Sequence, residues 1–443
     1  MTGPTPIAAL AEMGGYSPKR SLIHTPHRLD GNEGRPPPAA LLSAVQEAGV
    51  ECVRSYPNKR PLEALIAERH SVPADCILVT NGADDALDRI ARAFVGPGRT
   101  LLAPGPTFEM IERYVRIAGG RYVEVPWWED ALPMSSLRAA VDATVSVITV
   151  VSPNNPTGLT ASLEEIEELV SAYPNRLVVV DLAYAEFADA DLTVPLLAHR
   201  NVVMTRTLSK AWSLAGARVG YAMASNPELI RYLRDAGGPF PVSGLSLAVA
   251  EAWMNLGREH VEDSRATVIA ERESIFDRLG RLGERPFPSQ ANYVTSRFRD
   301  VQWVADCLAS LGIAIRVYVD KPKLSHCARI TCPQDPSLLT RLLDGLQSSL
   351  APAGLLVERG ALDADSLSCL RAVMPVDVAA EPQTASDRWW VGVNPAHFAS
   401  ARDHRMISFA MGTDNQTAQR HNAARGFGSA EDVRAALEKR TLA

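Results

Sequence analysis

Val145-Ser146-Val147-Ile148-Thr149-Val150-Val151-Ser152-Pro153-Asn154-Asn155-Pro156-Thr157-Gly158 is an apolar run that stops at a polar turn. A strand rich in β-branched residues, without clean alternation, belongs in a parallel sheet covered on both faces by helices. The residues C-terminal to the turn agree with that placement. Ser162 and two glutamates open a helix over Leu163–Ala172, in the manner of a capping box. Leu177-Val178-Val179-Val180 then forms a second apolar strand that ends in Asp181. Strand, helix and strand in immediate succession make a βαβ unit.

The same alternation extends outward. Towards the N-terminus it includes a helix from Pro61 to His70 and a strand from Cys76 to Thr80. The turn Asn81-Gly82 and a helix from Ala83 to Phe94 come next, then a strand from Thr100 to Ala103 closed by Pro104-Gly105-Pro106. Towards the C-terminus, Val202 to Thr205 forms another strand, ending just before Leu208-Ser209-Lys210. The predicted fold class is α/β, with a mostly parallel sheet flanked by helices.

After Pro239-Phe240-Pro241 the pattern changes. A long helical region from Leu245 to Leu282 is followed by short strands around Asn292–Thr295, Ala314–Val317 and Ala328–Thr331, and by a helix over Pro336–Leu350. This predicts a smaller α+β domain. Beyond Ala351-Pro352-Ala353 the chain carries Trp389-Trp390, a short strand at Met406–Ala410 and a closing helix over Ala430–Lys439. The segments expected are 1–50, an N-terminal arm with a small-domain portion; 51–240, the large domain; 241–350, a connecting helix with the small domain; and 351–443, a C-terminal extension without an assigned role.

With 443 residues, 46% of them hydrophobic and 22% charged, the chain suits more than one globular core. Its formal net charge of -6 offers no basic field for nucleic acid. No apolar run approaches the roughly 20 residues that span a bilayer, and Ile7–Met13 lacks the basic leader of a signal peptide. Cys52, Cys76, Cys307, Cys327, Cys332 and Cys369 show neither CxxC pairs nor metal spacing, as free thiols in a reducing cytoplasm would. His397, His404 and His421 with Asp403 or Asp414 match no metal motif, so no metal is expected.

The polar residues at the strand ends carry the chemistry, because ligands of open α/β sheets bind at the carboxyl edge. Lys210 comes after a buried strand and precedes a small-residue turn ending in Arg218, so it can form an imine beside an anion site. Asp181, at the end of an apolar strand, is costly to bury without a cation, and a protonated pyridine nitrogen is one. The Asn155 amide can donate to a phenolate oxygen, and Tyr184 can reach the same atom. Backbone N–H groups of Gly82, Ala83 and Asp84 open a helix and can cradle a phosphate. Thr207, Ser209 and Arg218 add hydroxyls and a guanidinium to that anion. Phe108 is placed to stack on a ring. Each has a plainer role open to it: a solvated lysine, a helix N-cap aspartate, a turn asparagine, a core phenylalanine. Together they meet the needs of one cofactor, pyridoxal 5′-phosphate, carried by Lys210 as a Schiff base.

Asn81-Gly82-Ala83-Asp84, Pro106-Thr107-Phe108, Asn155-Pro156-Thr157-Gly158, Asp181-Leu182-Ala183-Tyr184 and Ser209-Lys210-Ala211 with Arg218 resemble the ordered motifs of fold type I pyridoxal-phosphate aminotransferases, classes I and II. Leu29-Asp30-Gly31-Asn32-Glu33, Tyr56-Pro57, Gly312-Ile313-Ala314-Ile315-Arg316 and Ala328-Arg329-Ile330-Thr331 are most similar to the histidinol-phosphate aminotransferases. The resemblance spans roughly residues 20 to 350. It implies a large domain with a seven-stranded-type sheet, a smaller α+β domain, and ping-pong transfer from an amino donor to a 2-oxo acid acceptor. It implies a homodimer in which Tyr56 reaches the partner's cofactor phosphate. Arg329, with Arg316 as an additional anion contact and Asn32 beside them, would bind the substrate's carboxylate or phosphate.

Departures fall on the substrate side. Leu182 stands where the family has a glutamate, Gly34 where it has an asparagine, and Thr331-Cys332-Pro333 where a glycine-bearing turn is usual. Decarboxylation, elimination or cyclisation on the same cofactor is the alternative chemistry. The extension resembles no named family and reads as a packing or partner-contact appendage with Trp389 and Trp390 in its core.

Overall fold

The computed structural model describes residues 3–15, 21–382 and 387–441. Two compact units divide the chain. One holds residues 1–16, 33–269 and 288–293; the other holds 17–32, 270–287 and 294–443.

The first unit is built on a seven-stranded sheet. Its spatial order is Ile77–Thr80, Gly220–Met223, Val202–Thr207, Leu177–Asp181, Val145–Val151, Thr100–Gly105 and Arg121–Pro126. Gly220–Met223 runs antiparallel to both of its neighbours; the other pairings are parallel. The central strands are buried along their whole length, as the unalternating Val and Ile pattern requires. The core on one face joins Leu78, Leu101, Val147, Val179 and Val203 to Ala86, Leu87 and Ile90 of the helix Gly82–Phe94. Ser162 caps the helix Leu163–Ala172 in a full capping box with Glu165.

Several expected boundaries shift. Val202–Thr207 runs two residues further than the expected Val202–Thr205, so Arg206 and Thr207 also lie on the strand. The long helical region is two helices, Gly244–Leu256 and Arg258–Arg281, parted at Gly257. A side chain at Gly257 would strike the Trp253 indole, 2.6 Å from its ring. Residues 33–50 and 241–256 group with the large sheet, because the helix Ser43–Ala48 packs on Gly244–Leu256.

The second unit holds two sheets. The first has the order His27–Leu29, Ile313–Val317, Cys327–Thr331, Tyr293–Arg297 and Arg285–Pro286. The second lies in the C-terminal extension, with Val376–Ala379, Gly354–Glu358, Arg388–Gly392, Ile407–Met411 and Arg425–Phe427 all parallel. It is continuous with the small-domain helices Val301–Ser310 and Pro336–Leu350. Trp303 packs against Trp389 and Phe409, with ring centroids 5.3 and 5.2 Å away. Arg440 lies over the Trp303 ring at 3.6 Å. The orphan carbonyls at the ends of those helices are met from the extension: Arg402 Nε donates to Ser310 O at 2.9 Å, and Trp389 Nε1 to Ser348 O at 2.8 Å. Buried Asp306 accepts from Arg425 Nε at 2.9 Å.

The histidines weighed for a metal have structural places. His397 Nδ1 lies 3.0 Å from Glu358 Oε1, while His404 and His421 end helices. Among the described residues no helix is long and apolar enough to cross a membrane.

Candidate active site

The carboxyl edge of the large sheet gathers most of the expected residues. Asp181 ends its strand 3% exposed and sits opposite Thr205 on the next parallel strand. Thr205 Oγ1 donates to Asp181 Oδ1 at 2.8 Å. Burial pushes the Asp181 carboxyl up to about 6, against the pull of that hydrogen bond and of the Lys210 charge. Lys210 lies beyond the end of the Val202–Thr207 strand, its Nζ 5.7 Å from the centre of the Tyr184 ring. Tyr184 is itself buried, edge-on to Tyr293 at 5.3 Å.

Beside them the helix N-terminus at Gly82 meets the Arg218 side chain. Gly82 and Ala83 begin the helix Gly82–Phe94, with Asp84 and Asp85 in its first turn. Gly82 has φ +74, and a Cβ there would stand 2.7 Å from Arg218 Nη2. Gly220 lets the backbone come equally close from behind, since its Cβ would lie 2.6 Å from Ala83 N. Thr207 Oγ1 donates to Ser209 Oγ at 2.9 Å. Arg218 donates to Ser209 Oγ at 3.4 Å and to Asp84 Oδ2 at 3.0 Å. A helix N-terminus, two hydroxyls and a guanidinium are thus drawn to one place, the donor set of a phosphate site.

Phe108, at the head of the helix Glu109–Ile117, is partly buried against the large core. Asn155 is half-buried in the turn after Val145–Val151. Its neighbour Asn154, to which the sequence alone assigns no role, holds that turn: its amide donates to Pro106 O at 3.0 Å and Thr157 Oγ1 at 2.8 Å, and it accepts from Thr107. Thr205 is a second residue that sequence reasoning misses. Its signal is present, since residues two apart share a strand face and Thr207 is already a candidate. On the same strand, buried Arg206 pairs with Glu186 at 2.9 Å and Asp191 at 2.8 Å, and Trp212 Nε1 donates to Glu186 at 3.2 Å. No spacing in the sequence links those residues.

In the second unit, Arg316 and Arg329 are direct partners on antiparallel strands. Arg329 is 7% exposed and donates through Nη2 to Asp30 O at 2.8 Å. Asn32, at φ +54, donates its N–H to Thr331 Oγ1 at 3.2 Å and accepts from the same hydroxyl at 3.0 Å. Tyr56 is 82% exposed and stacks on Phe240 at 4.6 Å.

The sequence profile of the family Aminotransferase class I and II matches residues 28–346. The chain belongs to this family. The aminotransferase is 35% identical to the histidinol-phosphate aminotransferase of Stenotrophomonas maltophilia over 359 residues, 78% of this chain and 96% of that protein. It is 34% identical to histidinol-phosphate aminotransferase 1 of Bradyrhizobium diazoefficiens, across 72% of this chain and 91% of the relative. The crystal structure of the Sinorhizobium meliloti histidinol-phosphate aminotransferase in complex with pyridoxal-5′-phosphate has a TM-score of 0.66 to it at 26% identity, covering 73% of this chain and 92% of that one. The aminotransferase is a fold type I, pyridoxal-phosphate-dependent enzyme. Its residues fit that cofactor: a buried carboxyl displaced upward by burial would gain from a pyridinium partner, and the donors at Gly82, Ser209 and Arg218 match the needs of a phosphate.

Proposed function

We propose that this aminotransferase takes its amino group from an acidic donor of the histidinol-phosphate type and passes it to a 2-oxo acid, in the cytoplasm and as a homodimer. The observation that carries the substrate class is the direct pairing of Arg316 with Arg329 across two strands, two arginines on one sheet face, suited to a phosphate or carboxylate. The names of the relatives support the phosphate. The exposed Tyr56–Phe240 stack supports a partner subunit, since an aromatic pair left open to water gains from burial.

Bound pyridoxal phosphate supplies an electron sink for the bond broken at the substrate's α-carbon. Lys210 Nζ would hold the cofactor and, once released from it, would be the base for the substrate's α-proton. Asp181, its carboxylate aimed by Thr205, would keep the pyridine nitrogen protonated. Asn155 and Tyr184 would serve the phenolate oxygen. Gly82, Ala83, Asp84, Thr207, Ser209 and Arg218 would hold the phosphate, and Phe108 would cover the ring.

The test is turnover of histidinol phosphate with 2-oxoglutarate, with the products identified, in wild type and Arg329→Ala. The variant should keep its cofactor absorbance while KM rises by about 10- to 100-fold, the worth of a charge-assisted pair. Wild-type protein that releases inorganic phosphate and an elimination product, with no glutamate formed, would refute transfer.

A further inference from the structure

The strand bearing Arg329 leaves the small-domain sheet through Cys332, Pro333 and Gln334, and Gln334 has φ +55. That left-handed conformation suits glycine and is uncommon for a side chain such as glutamine. Glu271, on the helix Arg258–Arg281, meets the turn. Its Oε2 accepts the Gln334 N–H at 2.8 Å, and its carboxylate also accepts from the backbone of Asp335. Two successive N–H groups converging on one 4%-exposed carboxylate hold the backbone in the shape that Gln334 alone disfavours. Asp335 in turn caps the helix Pro336–Leu350, accepting from Leu338 N at 2.8 Å.

The other end of the connection lies among the substrate-side residues. Arg329 and Thr331 share a strand face. Thr331 exchanges hydrogen bonds with Asn32, and Arg329 donates to Asp30 O, so both side chains are tied to the segment after His27–Leu29. Beyond Thr331 the Glu271 carboxylate holds the turn through the N–H groups of Gln334 and Asp335.

We propose that Glu271 is a positioning residue of this aminotransferase: by fixing the turn that ends the Arg329 strand, it sets Arg329 and Asn32 for the acidic group of the substrate. The inference rests on the reading of Arg329 as the substrate's anion contact. Burial raises the Glu271 carboxyl to about 7, with Asp335 adding to the rise and the two backbone N–H groups opposing it. Arg272, the Cys332 thiol and His27, which faces Asp335, are other titratable groups near the turn. The carboxylate therefore gives way to the neutral acid as pH falls through about 7, and the clamp weakens in that direction.

The experiment uses the holoenzyme and L-glutamate as the amino donor, with its apparent Kd and maximal rate read from loss of the visible band of the lysine-bound cofactor. Glu271→Gln should weaken L-glutamate by about tenfold, as expected for losing one charge-assisted hydrogen bond, with the maximal rate and cofactor band retained. Wild-type affinity should fall as pH drops through about 7, and the Gln variant should lack that step. In Glu271→Gln/Gln334→Gly most of the lost affinity should return, because glycine takes the left-handed turn unaided. Wild-type affinity in Glu271→Gln, or an equal loss of affinity and rate that Gln334→Gly does not rescue, overturns the proposal. If Glu271→Gln does not fold, Gln334→Gly alone decides: it should shrink the pH step, and an unchanged step counts against the clamp. Arg329→Ala, run alongside, separates the two claims. Weak binding there with normal binding in Glu271→Gln removes only the role of Glu271; normal binding in Arg329→Ala removes the reading of Arg329 and the inference with it.

Discussion

Thr205 Oγ1 donates a 2.8 Å hydrogen bond to Asp181 Oδ1 across two neighbouring parallel strands, both residues being buried. The bond turns one carboxylate oxygen and pulls the carboxyl down, while burial pushes it up to about 6. That value lies above the ordinary aspartate range, so the carboxylate is lost as pH falls through about 6. Affinity for pyridoxal phosphate should hold above that pH and weaken below it, followed by absorbance titration. Thr205→Val should move the fall to higher pH. Asp181→Asn should remove it and lower kcat by about 10²- to 10³-fold, the scale for deleting one preorganised electrostatic partner. An Asn variant with wild-type kcat would discard the pyridinium role.

Gly82 offers a test of the cradle that leaves every polar group in place. A methyl there meets Arg218 Nη2 at 2.7 Å on a backbone at φ +74. Gly82→Ala should weaken pyridoxal phosphate by about tenfold or more, through a displaced guanidinium. Gly280→Ala, a helical position with nothing within 4 Å of its Cβ, is the control and should bind normally. Equal affinities in the two variants would place the phosphate elsewhere.

Most of the large domain is legible in the sequence because each of its strands is one apolar run with a polar residue at its carboxyl end. Leu177–Asp181 and Val202–Thr207 announce both their burial and their functional ends locally. The extension is not legible in that way. Gly354–Glu358 and Val376–Ala379 are short, and they are defined by pairing with each other and with Arg388–Gly392. Trp389 and Trp390 are core residues, as their type suggests, but Arg402, Arg425 and Arg440 read from sequence as surface charges. They act as a helix cap, a partner for Asp306 and a cover for Trp303, and each role is set by a residue about 90 or more positions away. Gln334 carries no local sign of its left-handed backbone.

That interlocking changes what removal of the extension should do. Without residues 351–443, Trp303 loses Trp389, Phe409 and Arg440, and Asp306 loses Arg425. The shortened chain should therefore be insoluble or melt well below the full one, in place of behaving as an enzyme relieved of an appendage. Trp389→Ala should cost about 3–5 kcal/mol, the range for emptying a large buried aromatic site. A soluble truncation with an unchanged melting temperature would show that the two sheets of this unit fold separately.

Everything assigned to the carboxyl edge of the large sheet depends on Lys210 carrying the cofactor. The decisive quantity is the visible absorbance of purified protein after incubation with pyridoxal phosphate and removal of the excess, in wild type and Lys210→Ala. Wild type should retain a visible band that borohydride abolishes while fixing the cofactor onto Lys210, and the variant should show no lysine-bound band and no amino transfer. A wild type that retains no cofactor, or a Lys210→Ala variant that keeps both the borohydride-sensitive band and turnover, would contradict that role.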